Sequence, residues 1–74
     1  MDRKFIENQS TIYQNVIVEE IHKLKNPITK EEFYNEYFRD LFLKNHKESD
    51  EGECRAIFES AFYAALVNGK LKVS

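Results

Sequence analysis

The chain has 74 residues, with eleven Lys plus Arg against thirteen Asp plus Glu, a net charge of -2, one Pro, two Gly and one Cys. That length leaves no room for a second core, and the acidic balance removes the prior for nucleic acid that a basic domain carries. Cys54 has no intramolecular disulfide partner, and the start Met-Asp-Arg-Lys-Phe-Ile-Glu lacks the apolar run of a signal peptide. The longest apolar stretch, Ala61 to Val67, is too short to cross a bilayer, so a reducing, cytoplasmic interior and no membrane are expected.

Residues 1–74 read as one domain of three helical patterns. In the first, Ile12, Val16, Ile17, Ile21 and Leu24 keep helical spacing from a Thr11/Gln14 capping box, with Lys23 and Lys25 in the last turn where the helix dipole favours cations. Phe5 and Ile6 extend the same stripe backwards as an early turn; the other reading makes residues 1–8 a flexible arm. Asn26-Pro27 then halts the helix, because proline disfavours the α conformation in the residue before it and donates no backbone hydrogen bond. A new helix starts at once, with Thr29 and Glu32 at capping-box spacing and Ile28 and Phe33 placed as a hydrophobic staple.

This second helix, Lys30 to Leu43, is expected to turn Phe33, Tyr37, Phe38, Leu41 and Phe42 inward. The polar stretch Asn45 to Asp50 is a loop, and Ser49 or Asp50 caps a third helix whose first turn carries Glu51 and Glu53. Cys54, Ile57, Phe58, Ala61, Phe62, Ala65 and Leu66 form its apolar side as far as Val67. Asn68-Gly69 ends it, and Lys70-Leu71-Lys72-Val73 alternates polar with apolar as a short strand does.

The extended Pro27-Ile28 leading into Thr29-Lys-Glu-Glu-Phe, and the Ala-Leu-Val-Asn-Gly-Lys-Leu-Lys-Val ending, give an order that resembles a winged helix-turn-helix domain over nearly the whole chain. The resemblance implies a mostly α, three-helix winged-helix-like fold with a short C-terminal β-strand, whose third helix would enter the major groove. The sequence departs from that family in having one strand where a wing needs two. Its third helix also opens on Asp50, Glu51 and Glu53, which repel phosphate.

No catalytic, metal or cofactor constellation stands out. His22, His46 and Cys54 lack the paired spacing of structural zinc, Glu19-Glu20 and Glu31-Glu32 point about 100° apart on a helix, and Gly69-Lys70 lacks a phosphate loop's approach. No metal, no cofactor and no enzymatic activity are therefore expected. Ten aromatic residues in 74 are more than a small core absorbs, and Tyr13, Tyr34 and Tyr63 fall off the strongest apolar stripes. With Glu59, Val67, Leu71 and Val73 they are the expected protein-binding residues, the last two on an open strand edge.

A fold that suggests DNA, joined to a charge that refuses it, implies a non-enzymatic protein-binding module. The expected role is an accessory or inhibitory subunit acting on a larger nucleic-acid-processing protein, a polymerase, helicase or nuclease-type factor, of a phage, plasmid or other mobile element. The alternative is a dimeric DNA-binding regulator using Lys44, Lys47, Arg55, Ser60, Lys70 and Lys72, with Lys23 and Lys25 on the same side. A homodimer that only scaffolds is the third reading.

Overall fold

The computed structural model describes residues 3–71, and these are mostly helical. Helix α1 spans Arg3–Lys23; α2 (Lys30–Phe33), a π-helical segment (Tyr34–Phe38) and α3 (Arg39–Asn45) follow one another without a break as a second rod; α4 spans Glu51–Val67. Phe5 meets His46 at one end of the molecule, while Ile21 and Leu24 share a hollow with Leu66 and Leu71 at the other. Helices α1 and α4 therefore run the same way, packed closely together, and the second rod returns antiparallel.

Residues 3–8 are helical, so the arm reading is withdrawn for them, and with it the Thr11/Gln14 cap. The Thr11 hydroxyl instead donates to the Glu7 carbonyl one turn back, at 3.1 Å. The second start is as expected: Thr29 Oγ1 accepts from the Glu32 amide at 3.1 Å and the Glu32 carboxylate accepts from the Thr29 amide at 3.2 Å. Asp50 caps α4 by accepting from the Glu53 amide at 2.8 Å.

The core is an aromatic stack. Tyr34, Phe38 and Phe42 succeed one another at four-residue steps, with ring centroids 6.2 and 5.9 Å apart, and Phe58 of α4 lies 5.0 Å from Tyr34 and 4.9 Å from Phe38. Tyr13 closes the far side edge-on to Phe38 and Phe42. The π-helical segment explains which tyrosine goes inside. Four residues overshoot a full α-helical turn by about 40°, and the wider π turn absorbs that drift, keeping 34, 38 and 42 in line. Tyr34 is thereby buried and Tyr37, expected inward, is left 43% exposed. Ile12, also expected inward, is exposed as well.

The expected C-terminal strand is not formed: among the described residues there is no β-structure, so the winged-helix-like fold with its β-strand is corrected to an all-helical domain. A Schellman motif takes its place. Gly69, at φ +72°, sends its amide to the Leu66 carbonyl at 3.1 Å, and the Lys70 amide reaches the Ala65 carbonyl at 2.9 Å. The chain turns back, and Leu71 is buried in the core cluster. A Lys-Leu-Lys alternation at a helix end thus encodes an apolar lid on the last turn, not a pleat. Lys72 and Val73 lie outside the described residues.

Candidate functional site

A hollow of about 630 Å³ lies where the connection 24–29 holds the end of α1 away from the start of the second rod. Pro27 keeps this connection extended, since its ring fixes φ and it lends no amide to a turn. Ile21 and Leu24 form one wall, Ile28 and Phe33 another, and Phe62 and Leu66 of α4 the third, with Leu71 at the back. Apart from Phe33 and Leu71 these side chains are only half-buried, so the core is left open here. Lys25 and Lys30 stand at its edge, and among the described residues no carboxylate lines it. The Lys25 ammonium has no partner among the described residues, whereas Lys30 pairs with Glu59 and sits 5.6 Å over the Phe62 ring.

A second hollow of about 170 Å³ adjoins the first through Phe33, which lines both. Val16 and Ile17 of α1 face Tyr37, Phe38 and Leu41 across it, with Glu20 and Glu36 at its edge and no cation among its lining residues. The two hollows share Phe33, itself buried; the first, a trough beside the 24–29 connection, has Lys25 and Lys30 among its lining residues, while the second has Glu20, which pairs with Lys23, and Glu36.

Beside the trough, a charge network ties α2 to α4. The Arg55 guanidinium donates to both Glu31 oxygens, at 3.0 Å for Nη1, and to Glu59 at 2.9 Å, while its plane lies 4.6 Å over the Tyr34 ring. Glu31 holds the Arg55 pKa above its ordinary value; in return, Arg55 lowers that of Glu31, and Lys30, then Arg55, lowers that of Glu59. These charges neutralise one another and commit both terminal nitrogens of Arg55 to carboxylates.

The expected binding residues separate into three groups. Tyr63 and Val67 stand on the surface of α4, 69% and 64% exposed, and neither is among the residues that line the hollow. Glu59 lies one turn earlier in the charge network. Tyr13, Tyr34 and Leu71 are instead core residues; helical periodicity placed the two tyrosines off the stripe because each lies on a flank that a third helix covers. Val73 is outside the described residues.

Of the DNA-binding set, Arg55 is held by carboxylates, Ser60 is exposed, and Lys70 donates to Asn15 at 3.3 Å. Lys44 and Lys47 precede α4 and Lys70 follows it, and 17 helical residues at 1.5 Å each put about 25 Å between these groups. Lys72 is undescribed. Among the described residues no group of three or more His, Cys, Asp or Glu side chains is placed to hold a metal, and no helix is long and apolar enough to cross a membrane.

No family model, curated protein or solved structure matches the chain. The trough rests on its own geometry. Its key residues were unmarked in the sequence because Ile21, Leu24, Phe62 and Leu66 keep the same spacing as core positions; only Pro27, which forces an extended connection, signalled that two helices would be held apart.

Proposed function

We propose that this domain is a non-catalytic protein-binding module that takes an amphipathic helical segment of a partner into the hollow walled by Ile21, Leu24, Phe62 and Leu66. The observation that carries this reading is the combination of an open apolar hollow with Lys25 and Lys30 at its edge and no carboxylate lining it. A partner that fits supplies bulky apolar side chains at helical spacing, with carboxylates beside them. Tyr63 and Val67, exposed on α4, are further apolar area of the kind found at many interfaces. Direct DNA binding draws less support, because its cations are either paired or parted by the length of α4.

The test is a titration with two synthetic helices sharing one Leu/Phe face, one flanked by Glu and the other by Lys, followed by NMR of the labelled chain. The Glu-flanked helix is expected to bind and to shift Ile21, Leu24 and Phe62, with Lys25→Ala weakening it. Equal binding of both helices, or shifts confined to other faces, overturns the reading.

A further inference from the structure

The hollow beside the 24–29 connection has the size and lining of a small-molecule site. Its volume of about 630 Å³ lies within the range of about 300–1,000 Å³ in which clefts cover most of a small ligand's surface. Ile21 of α1, Ile28 of the connection, Phe33 of the second rod and Phe62 and Leu66 of α4 reach it from different elements, with Leu71 from beyond α4, so an apolar body placed there is covered from several sides. The second hollow, about 170 Å³, falls below that range, and the charged residues lining it are both acidic.

The charge of the ligand follows from the polar lining of the larger hollow. Asn26 and Thr29 are neutral, Lys30 is already paired with Glu59, and among the described residues no carboxylate lines it. Lys25, exposed and without a partner among the described residues, is left as the lining cation that a ligand can engage without breaking an existing pair. One free ammonium matches one negative charge. A carboxylate supplies that charge on oxygens that accept charge-assisted hydrogen bonds, whereas a second charge, as on a phosphate monoester, would have to draw Lys30 away from Glu59.

We infer that this hollow is a binding site for a free monocarboxylate with an apolar body, whose body lies against Ile21, Phe62 and Leu66 and whose carboxylate faces Lys25. The inference rests on the hollow and on Lys25. Only its consequence rests on the docking reading: the ligand covers the side chains proposed to receive the partner's helix, so the two exclude one another.

Titration of the labelled full chain with hexanoate, octanoate and decanoate, followed by NMR, tests this, with octylammonium as the cationic control. Each methylene that enters the hollow is expected to tighten binding about fourfold, with shifts at Ile21, Ile28 and Phe62. Octanoate is expected to bind more tightly than octylammonium. Lys25→Ala, which removes an exposed and unpaired side chain and leaves the core untouched, is expected to weaken octanoate by about twofold to fivefold and octylammonium not at all. Affinity independent of chain length, octylammonium bound as tightly as octanoate, a Lys25→Ala chain that binds octanoate like wild type, or shifts confined to other faces overturn the inference. Decanoate is expected to release the Glu-flanked helix, and both held at once overturn the exclusion. A chain that binds that helix but no alkanoate overturns the ligand and leaves the docking reading standing; one that binds the alkanoates but neither helix does the reverse; one that binds none of them overturns both.

Discussion

The Tyr34 hydroxyl is the most exacting test of the packing. Its ring is stacked on Phe38, tilted against Phe58 and lies under Arg55, while Oη is buried with no oxygen or nitrogen partner and only the Cys54 thiol beside it, so folding strips it of water for little return. A buried polar group left unsatisfied costs about 1–3 kcal/mol, and the Cys54 thiol is too weak a partner to offset much of that. Tyr34→Phe keeps the ring, the stack and the cation above it, and removes only the stripped oxygen. The variant is expected to gain about 1 kcal/mol, which for a domain this small raises Tm by about 4–8 °C. Alkali gives an independent reading. Burial, then the Cys54 thiol, pushes the Tyr34 phenol from 10.0 up to about 12. A folded-state pKa above the unfolded one gives stability that is complete below 10 and lost as pH climbs toward 12, about 2–3 kcal/mol in all. Tyr34→Phe is expected to lose less over that window. Paired thermal melts of wild type and variant at neutral and alkaline pH make the measurement. A variant less stable than wild type at neutral pH refutes the argument and shows that the hydroxyl is bonded after all.

Three further outcomes follow from the same contacts. Phe58→Ala opens a cavity in the centre of the stack at a cost of about 3–5 kcal/mol, a large share of the total of about 4–11 kcal/mol for a domain of this length, and is expected to lower the midpoint of a urea titration by a corresponding amount. Gly69→Ala meets no side chain but forces an L-residue to φ +72°, and is expected to lower stability by about 1 kcal/mol in the same titration. Glu59→Gln removes the carboxylate shared by Lys30 and Arg55, which are partly exposed, so about 0.2–1 kcal/mol is expected at neutral pH. Since the Glu59 pKa is lowered on folding, that contribution is complete above 4.5 and lost as pH falls through its folded value, and the melting curves of variant and wild type are expected to converge in acid.

Local punctuation was readable in the chain and tertiary phase was not. Thr29 and Glu32 define a helix start by chemistry confined to four residues, and Asp50 and Gly69 do the same at the ends of α4, so these boundaries stand where the sequence puts them. Tyr34 and Tyr37 could not be sorted in this way. Periodicity at 3.6 put Tyr37 inward and Tyr34 off the stripe, whereas the π turn lines Tyr34 up with Phe38, four residues on, and leaves Tyr37 exposed. Leu71 was misread for a related reason: two-residue alternation is shared by a strand and by a Schellman cap with an apolar residue beyond it, and only Gly69 just upstream distinguishes them. The trough escaped notice because an open hollow is a relation between three elements, while each wall taken alone has the pattern of a closed core.

The π-helical segment links these observations to the second hollow. In an unbroken α-helix Tyr34 and Phe38 would stand about 40° out of line. As folded, Tyr34 lies beneath the guanidinium that bridges Glu31 and Glu59, and Tyr37 lines the second hollow with the acidic Glu36 and the apolar Leu41. One turn of altered hydrogen bonding therefore sets both the centre of the core and the most prominent apolar projection of the surface. Deformations of this kind inside helices are common at functional sites. Here the arrangement gives the reason in physical terms: the exchange leaves the number of buried aromatic rings unchanged, and its net product is an exposed tyrosine beside an open hollow.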